Sequence, residues 1–128
     1  MSLSEYKKKR KFDKTPEPKT KILKTKKDIY TIQKHTASHL HWDLRLELNG
    51  VLKSWAIPKQ PPKQKGLKRL AIETEDHPIG YEKFEGIIPE GNYGAGKVEI
   101  WDKGTFELLE KNKDLIVVKI KGKVLEGE

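Results

Sequence analysis

Residues Leu40 to Leu48 alternate apolar and polar side chains without a break, and Asn49-Gly50 and a second apolar-rich run, Val51 to Ile57, follow at once. Strict alternation has the period of a strand, whose side chains point to opposite faces in turn. Asn-Gly suits the two left-handed positions of a tight hairpin turn better than almost any other dipeptide. Together these features specify a β-hairpin of defined register, and the rest of the fold must be built around it.

Other segments read the same way. Residues 30–35, 68–74, 97–101, 105–110 and 115–120 are short and rich in β-branched or apolar residues. The stretch 97–110 reads as a hairpin across Asp102-Lys-Gly104, and 124–125 as a last short partner for 115–120. Pro58, Pro61 and Pro62 mark a loop, Asp76-His77-Pro78 with Ile79-Gly80 a turn-rich stretch, and 81–84 a helical turn. No repeat and no long helical pattern is present. A chain of 128 residues has room for one domain, and many short strands between turns predict a small barrel or sandwich.

The charge divides the chain. Lys and Arg number 27 against 19 Asp and Glu, a net +8. Residues 1–28 hold eleven basic and four acidic residues, whereas 29–128 are nearly balanced at 16 and 15. We therefore expect a basic arm over 1–27, carrying Lys7-Lys8-Lys9-Arg10-Lys11 and then Lys24, Lys26 and Lys27 around Pro16 and Pro18, and a folded body over 28–128. Such an arm reads either as a solubilising tail or as a phosphate-seeking segment that gains affinity by releasing counterions from nucleic acid. A membrane-surface role fits less well, because no apolar helical face accompanies the charges. The absence of cysteine excludes disulfides, thiolate metal sites and a Cys nucleophile. No apolar run reaches the length of a membrane span, and the start Met1-Ser-Leu-Ser-Glu-Tyr6 lacks a signal-peptide h-region. The expectation is a soluble, cytoplasmic, basic domain.

The candidate chemistry lies on the polar side of the first hairpin. Leu40, Trp42, Leu44, Leu46 and Leu48 share the face expected to meet the core, and His41, Asp43, Arg45 and Glu47 share the other. Trp42 and Trp55 read as core residues, and Glu47 as an ordinary solvated side chain. Three of the four histidines, His35, His39 and His41, fall within seven residues. Antiparallel pairing of the two strands would bring His35 and His41 together, with Asp43 one same-face step, about 7 Å, further on. This spacing fits a solvated polar face. It equally fits a divalent metal site with three protein ligands and open positions, with Arg45 placed to grip an anion bidentately. Lys59, Arg69 and His77 are further candidates for an anion pocket. The glycines Gly91, Gly94 and Gly96 lack the strand–loop–helix context of a phosphate-cradling loop and read as turn residues. No Ser or Thr nucleophile motif is present, so water would be the attacking group.

Several longer strings resemble the 3′-phosphoesterase domain of DNA ligase D. They are Gln33-Lys-His35-x5-His41-Trp-Asp43-Leu-Arg45-Leu-Glu47; Gly50-Val-Leu-Lys-Ser-Trp-Ala-Ile-Pro-Lys59; Glu75-Asp-His77-Pro-x-x-Tyr81-x-x-Phe84-Glu-Gly86; and Ile88-Pro-x-Gly91-x-Tyr93-Gly-Ala-Gly96. The segment Tyr6-x-x-Lys9-Arg10-x-Phe12-x-x-Thr15-Pro-Glu17-Pro18 is similar too. The resemblance implies a mainly β fold, a small closed or partly closed antiparallel β-barrel with short flanking helices. It implies a manganese-dependent end-healing hydrolase of bacterial end joining, also known in free-standing archaeal or bacterial form. Such an enzyme removes a 3′-terminal ribonucleoside and then the 3′-phosphate. The implied metal ligands are His35, His41 and Asp43. Arg45, Lys59 and Arg69 match phosphate-handling positions, and Gln33 lies beside the ligands. His77 and Tyr81 match positions needed for activity, with His77 expected to protonate the leaving oxygen. Arg10 and Glu17 match functional residues of an arm that folds back over the site, leaving the tail before about Lys7 free. The family usually has an acidic residue directly after Arg10, where this chain has Lys11. Mn²⁺ is the implied cofactor, although Co²⁺, Zn²⁺ or iron suits the same donors. The implied partners are primer–template 3′ ends, including those with a terminal ribonucleotide, and a separately encoded ligase and polymerase. A cytoplasmic, nucleoid-associated monomer is expected. Two other readings of the residues are a non-catalytic nucleic-acid-binding barrel and a non-haem iron oxygenase, which also uses two His and one carboxylate.

Overall fold

The computed structural model describes residues 3–10, 17 and 28–128. The arm residues Lys11, Pro16, Pro18, Lys24, Lys26 and Lys27 lie outside them. Among the described residues, helix α1 (Leu3–Lys9) precedes strands β1 (Ile29–Thr36), β2 (Leu40–Leu48), β3 (Val51–Ile57) and β4 (Ile72–Pro78). A 3-10 turn at Tyr81–Lys83 follows, and then β5 (Gly86–Ile88), β6 (Gly96–Lys111), β7 (Ile116–Gly122) and β8 (Glu126–Gly127). The strands form one antiparallel sheet in the order β4-β3-β2-β1-β6-β7-β8, with β5 paired to β6. The sheet is curled but not closed, a partly closed barrel.

The hairpin that anchors the fold has the expected bounds. Asn49 and Gly50 take φ of 56° and 81°, the left-handed pair of a tight turn, and Leu48 faces Val51 across it. One face of the sheet buries Tyr30, Ile32, Trp42, Leu46, Leu48, Ile57 and Phe106, with Trp55 packed against them. Leu40, at the start of β2, is exposed.

The other face of β2 is covered as well. A second apolar cluster joins Tyr6 of α1 to Leu52, Ile79, Tyr81, Phe84, Ile88 and Val98. Glu47 faces Leu52 across the β2–β3 ladder. It is therefore only 1% exposed, against the expectation of a solvated side chain, and among the described residues its Oε2 has no hydrogen-bond partner. The segment before Lys7 is likewise not free: it is helical over Leu3–Lys9 and buries Tyr6 completely. Seven residues are too few for a stable isolated helix, so α1 exists because Tyr6 and the charged groups after it are fixed to the sheet.

Three strands differ from expectation; the short partner of β7 is Glu126–Gly127 rather than 124–125, which lie in the turn before it. β4 runs over Ile72–Pro78 rather than 68–74, so the stretch Asp76-His77-Pro78 is strand and not turn. Leu52 faces His77 and Ser54 faces Thr74, leaving Glu75 and Asp76 opposite Lys53 in a β-bulge. The stretch 97–110 is not a hairpin but part of the single 16-residue strand β6. The chain passes straight through Asp102-Lys-Gly104, and its turn comes at 112–115, closed by Asn112 N–H to the Leu115 carbonyl at 2.9 Å. Gly104 is needed for clearance: a Cβ there would collide with the Lys121 carbonyl of β7. Asp102 caps the turn between β7 and β8, accepting the N–H groups of Lys123, Val124 and Leu125 at 2.8, 3.0 and 3.0 Å, as well as the Tyr30 hydroxyl at 2.8 Å.

Candidate metal centre

β1 and β2 pair so that His35 lies directly opposite His41, and Gln33 opposite Asp43. One ligand atom from each of His35, His41 and Asp43 falls within 4.8 Å of the others. His35 Nδ1 is 3.2 Å from His41 Nε2, and Asp43 Oδ2 is 3.2 Å from His41 Nε2 and 3.7 Å from His35 Nδ1. The remaining nitrogen of each ring meets a main-chain acceptor: His35 Nε2 lies 2.6 Å from the Gly94 carbonyl, and His41 Nδ1 lies 3.0 Å from that of His39. A ring nitrogen that donates to a carbonyl leaves its partner nitrogen with a lone pair. Two imidazole lone pairs and a carboxylate thus converge on one point, an arrangement that favours a bound cation and suits a borderline divalent metal. Burial opposes ionisation of Asp43, but the His35 and His41 imidazoles against its carboxylate and the Arg45 charge hold it well below the usual carboxylate range. The bond to Asp43 raises the His41 pKa against the effect of burial.

Arg45, the next same-face residue of β2, is held by two fixed groups. Its Nε donates to Gln33 Oε1 at 2.6 Å and its Nη1 to Ser54 Oγ at 2.8 Å. Gln33 is itself fixed, because its Nε2 donates to the carbonyls of Tyr81 at 2.7 Å and Phe84 at 3.0 Å. Ser54 passes its proton to the Leu52 carbonyl at 3.1 Å. Nη2 is left on the ligand side, 3.7 Å from Asp43 Oδ2, where it can meet an anion bound beside the cluster.

The arm supplies the opposite wall. Arg10 Nε donates to Glu17 Oε2 at 2.7 Å, Arg10 Nη1 to Glu75 Oε1 at 3.2 Å, and Arg10 Nη2 lies 3.2 Å from His77 Nε2. Glu17 also accepts the Tyr81 hydroxyl at 2.6 Å. Tyr6 packs edge-on against His77 and Tyr81, at 5.0 and 5.9 Å between ring centres. His77 Nδ1 lies 2.9 Å from the Glu75 carbonyl, to which it donates, so Nε2 presents a lone pair to Arg10. Burial, reinforced by the charges of Arg45 and Arg10, pushes the His77 pKa well below its ordinary value. His77 thus meets Arg10 on one side and the Glu75 carbonyl on the other.

His35, His41, Asp43, Arg45, Arg10, His77 and Tyr81 all line one cavity of about 320 Å³. Gln33 and Glu17 stand behind that wall. Lys59 and Arg69 do not line it; both are exposed on the loop between β3 and β4, where Arg69 donates to the Gln60 and Lys68 carbonyls at 2.9 and 3.2 Å. Sequence reasoning missed Glu75, Ser54 and Tyr93. Glu75 has the same strand parity as His77, which was a usable signal. Ser54 is a small polar residue between Leu52 and Ala56 of β3, and Tyr93 sits in the glycine loop; neither pattern is specific.

Residues 33–128 match the family model of the DNA ligase D 3′-phosphoesterase domain. The multifunctional non-homologous end joining protein LigD of Pseudomonas aeruginosa is 50% identical over 117 residues, 88% of this chain and 14% of that protein. The LigD proteins of Mycobacterium tuberculosis and Mycolicibacterium smegmatis are 50% and 52% identical over 107 residues, 82% of this chain and 14% of each. The chain thus spans about one seventh of the length of these relatives. It belongs to the DNA ligase D 3′-phosphoesterase domain family.

Proposed function

We propose that this chain is a metal-dependent phosphoesterase that heals DNA 3′ ends for end joining. It removes a 3′-terminal ribonucleoside as a phosphodiesterase, and then the remaining 3′-phosphate as a phosphomonoesterase, to leave a 3′-OH. The observation that carries this reading is the convergence of His35, His41 and Asp43 beside an Arg45 guanidinium braced by Gln33 and Ser54, in a chain of this family.

His35, His41 and Asp43 would hold the cation, with Mn²⁺ first and Co²⁺ or Zn²⁺ compatible with the same donors. Bound there, it would polarise a phosphate oxygen as a Lewis acid. Arg45 and Arg10 bind the phosphate from the two walls and meet the charge that develops on it. Their orientations are fixed before substrate arrives, so little reorganisation opposes the reaction. Water attacks in line. Tyr81, whose hydroxyl is held by Glu17, and neutral His77 keep Arg10 in place. Lys59 and Arg69 follow the nucleic-acid backbone outside the cavity and supply salt-sensitive affinity. In this reading the arm over 1–27 is partly ordered over the active site of a single domain over 28–128. The protein works as a cytoplasmic monomer on primer–template ends, ahead of a ligase and polymerase. Among the described residues no helix is long and apolar enough to cross a membrane.

The test is a labelled primer ending in one ribonucleotide, incubated with and without Mn²⁺ and resolved for 3′-phosphate and 3′-OH products. Both products should appear in order, only with metal, and His41→Ala, shown folded by circular dichroism, should give neither. Product formed by the folded His41→Ala variant at the parental rate would refute the assignment. Binding of the primer without turnover would favour a non-catalytic barrel, and a requirement for oxygen and a keto-acid would favour an oxygenase.

A further inference from the structure

The 89–96 loop touches both halves of the site, yet nothing in the proposed reaction uses it. At one end the Gly94 carbonyl lies 2.6 Å from His35 Nε2. At the other, Tyr93 meets the arm: Lys9 Nζ donates to the Tyr93 hydroxyl at 3.3 Å and lies 4.6 Å from the centre of its ring, and the Arg10 guanidinium lies 5.4 Å from that centre. Tyr93 is 48% exposed, so packing alone does not hold it there. The loop is shaped by two successive turns, Asn92 N–H to the Pro89 carbonyl at 3.3 Å and Ala95 N–H to the Asn92 carbonyl at 3.1 Å. These turns aim the Gly94 carbonyl inward.

We infer that Gly94 and Tyr93 are positioning residues of the metal centre: the Gly94 carbonyl takes the Nε2 proton of His35 and so presents Nδ1 to the cation, and Tyr93 ties that carbonyl to the N-terminal helix. This rests on the metal reading above and adds to it a group outside the three ligands. A ligating histidine whose other nitrogen donates to a fixed acceptor is locked in tautomer and ring orientation, and loss of such a partner typically costs about 10–100-fold in metal affinity. Here the acceptor is a main-chain carbonyl, so no side-chain deletion removes it and the conformation of residue 94 controls it. Gly94 has φ of +77°, so alanine there strains the backbone that aims its carbonyl at His35, while its Cβ would only come into ordinary contact with His35 Cε1 at 3.4 Å. Gly91, three residues earlier in the same loop, has φ of +86° and, among the described residues, nothing within 4 Å of such a Cβ. Alanine at either position carries a similar backbone strain, but only at 94 does it reach the ligand.

This pair of glycines makes the test. Mn²⁺ affinity is measured by electron paramagnetic resonance on the unmodified chain, Gly94→Ala, Gly91→Ala and Tyr93→Ala, each checked for folding by thermal melting. Gly94→Ala should weaken Mn²⁺ about 10-fold or more, Gly91→Ala less than about 2-fold, and Tyr93→Ala should fall between them. Independently, ¹⁵N NMR of the metal-free parental chain should show His35 protonated at Nε2 and bare at Nδ1. Equal losses at 91 and 94, an unchanged Gly94→Ala, or a His35 proton on Nδ1 would overturn the inference. Should Gly94→Ala fail to fold, the NMR tautomer decides. If the parental chain binds no Mn²⁺, the metal reading itself fails; if it binds and Gly94→Ala is unaffected, only the positioning role does.

Discussion

Replacing Glu75 by Gln keeps the shape of the side chain and removes its charge. Glu75 is 2% exposed and ties the N-terminal helix to β4 through Lys9 Nζ at 3.0 Å and Arg10 Nη1 at 3.2 Å. The Arg10 contact, between side chains 5% and 2% exposed, should contribute about 1.5–3 kcal/mol as a charge-assisted bond. Lys9 is 35% exposed, so its contact is screened and should add only about 0.5 kcal/mol. Glu75→Gln should therefore lose about 2–3 kcal/mol at pH 7. Urea unfolding followed by tryptophan fluorescence measures this, and faster trypsin cleavage in Lys7-Lys8-Lys9-Arg10 reports release of the helix. The pH dependence has a definite sign. Burial opposes the Glu75 carboxylate, but Lys9 and Arg10 hold its pKa below the ordinary glutamate value. A depressed carboxylate contributes stability that is complete above the unfolded pKa and lost as pH falls through the folded one. The gap between parent and Glu75→Gln should be full at pH 7 and shrink below about pH 4.5. Equal stabilities at pH 7, or a gap that stays the same at pH 3, would refute the view that the arm is held by this charge.

Other outcomes follow from named contacts. Arg45→Lys loses the donors to Gln33 and Ser54 that set its orientation, and should cut phosphate removal by roughly 100-fold in a steady-state assay while the chain stays folded. Asp102→Ala strands four main-chain N–H groups, of which Lys123, Val124 and Leu125 belong to the β7–β8 turn, and should cost about 3 kcal/mol or more in urea unfolding. The Asp102 pKa is held down by these backbone N–H groups and Tyr30 against the effect of burial, so the loss should be full at neutral pH and fade as acid protonates the carboxylate. Gly96→Ala would drive a Cβ into the Thr36 carbonyl of β1 and should prevent stable folding, seen as loss of a cooperative melt.

What could be read from the chain follows from which forces are local. The β2–β3 hairpin was legible to the residue, because alternation and Asn49-Gly50 act within a few positions. The clustering of His35 and His41 was legible because antiparallel pairing places them opposite each other, and strand parity adds Asp43 and Arg45. The long strand β6 was not, because Asp102 and Gly104 look like turn formers until their tertiary tasks are known, one capping a turn 20 residues away and the other clearing the Lys121 carbonyl. β4 was misplaced because a bulge at Glu75-Asp76 let the ladder continue to Pro78. Burial on the polar face of β2 was missed for a related reason. Nothing in Glu47 or its neighbours announces that Tyr6, some forty residues earlier, comes back to cover that side of the sheet. The same fold-back removes His77 from solvent between two guanidinium groups, which a sequence pattern cannot convey.

The central claim is that His35, His41 and Asp43 share one divalent cation. Its most direct test is a Mn²⁺ titration by electron paramagnetic resonance on the folded chain and on Asp43→Ala. The account predicts one tightly held ion per chain and none in the variant. A parental chain that leaves all added Mn²⁺ free, or a variant that binds as the parent does, would contradict it.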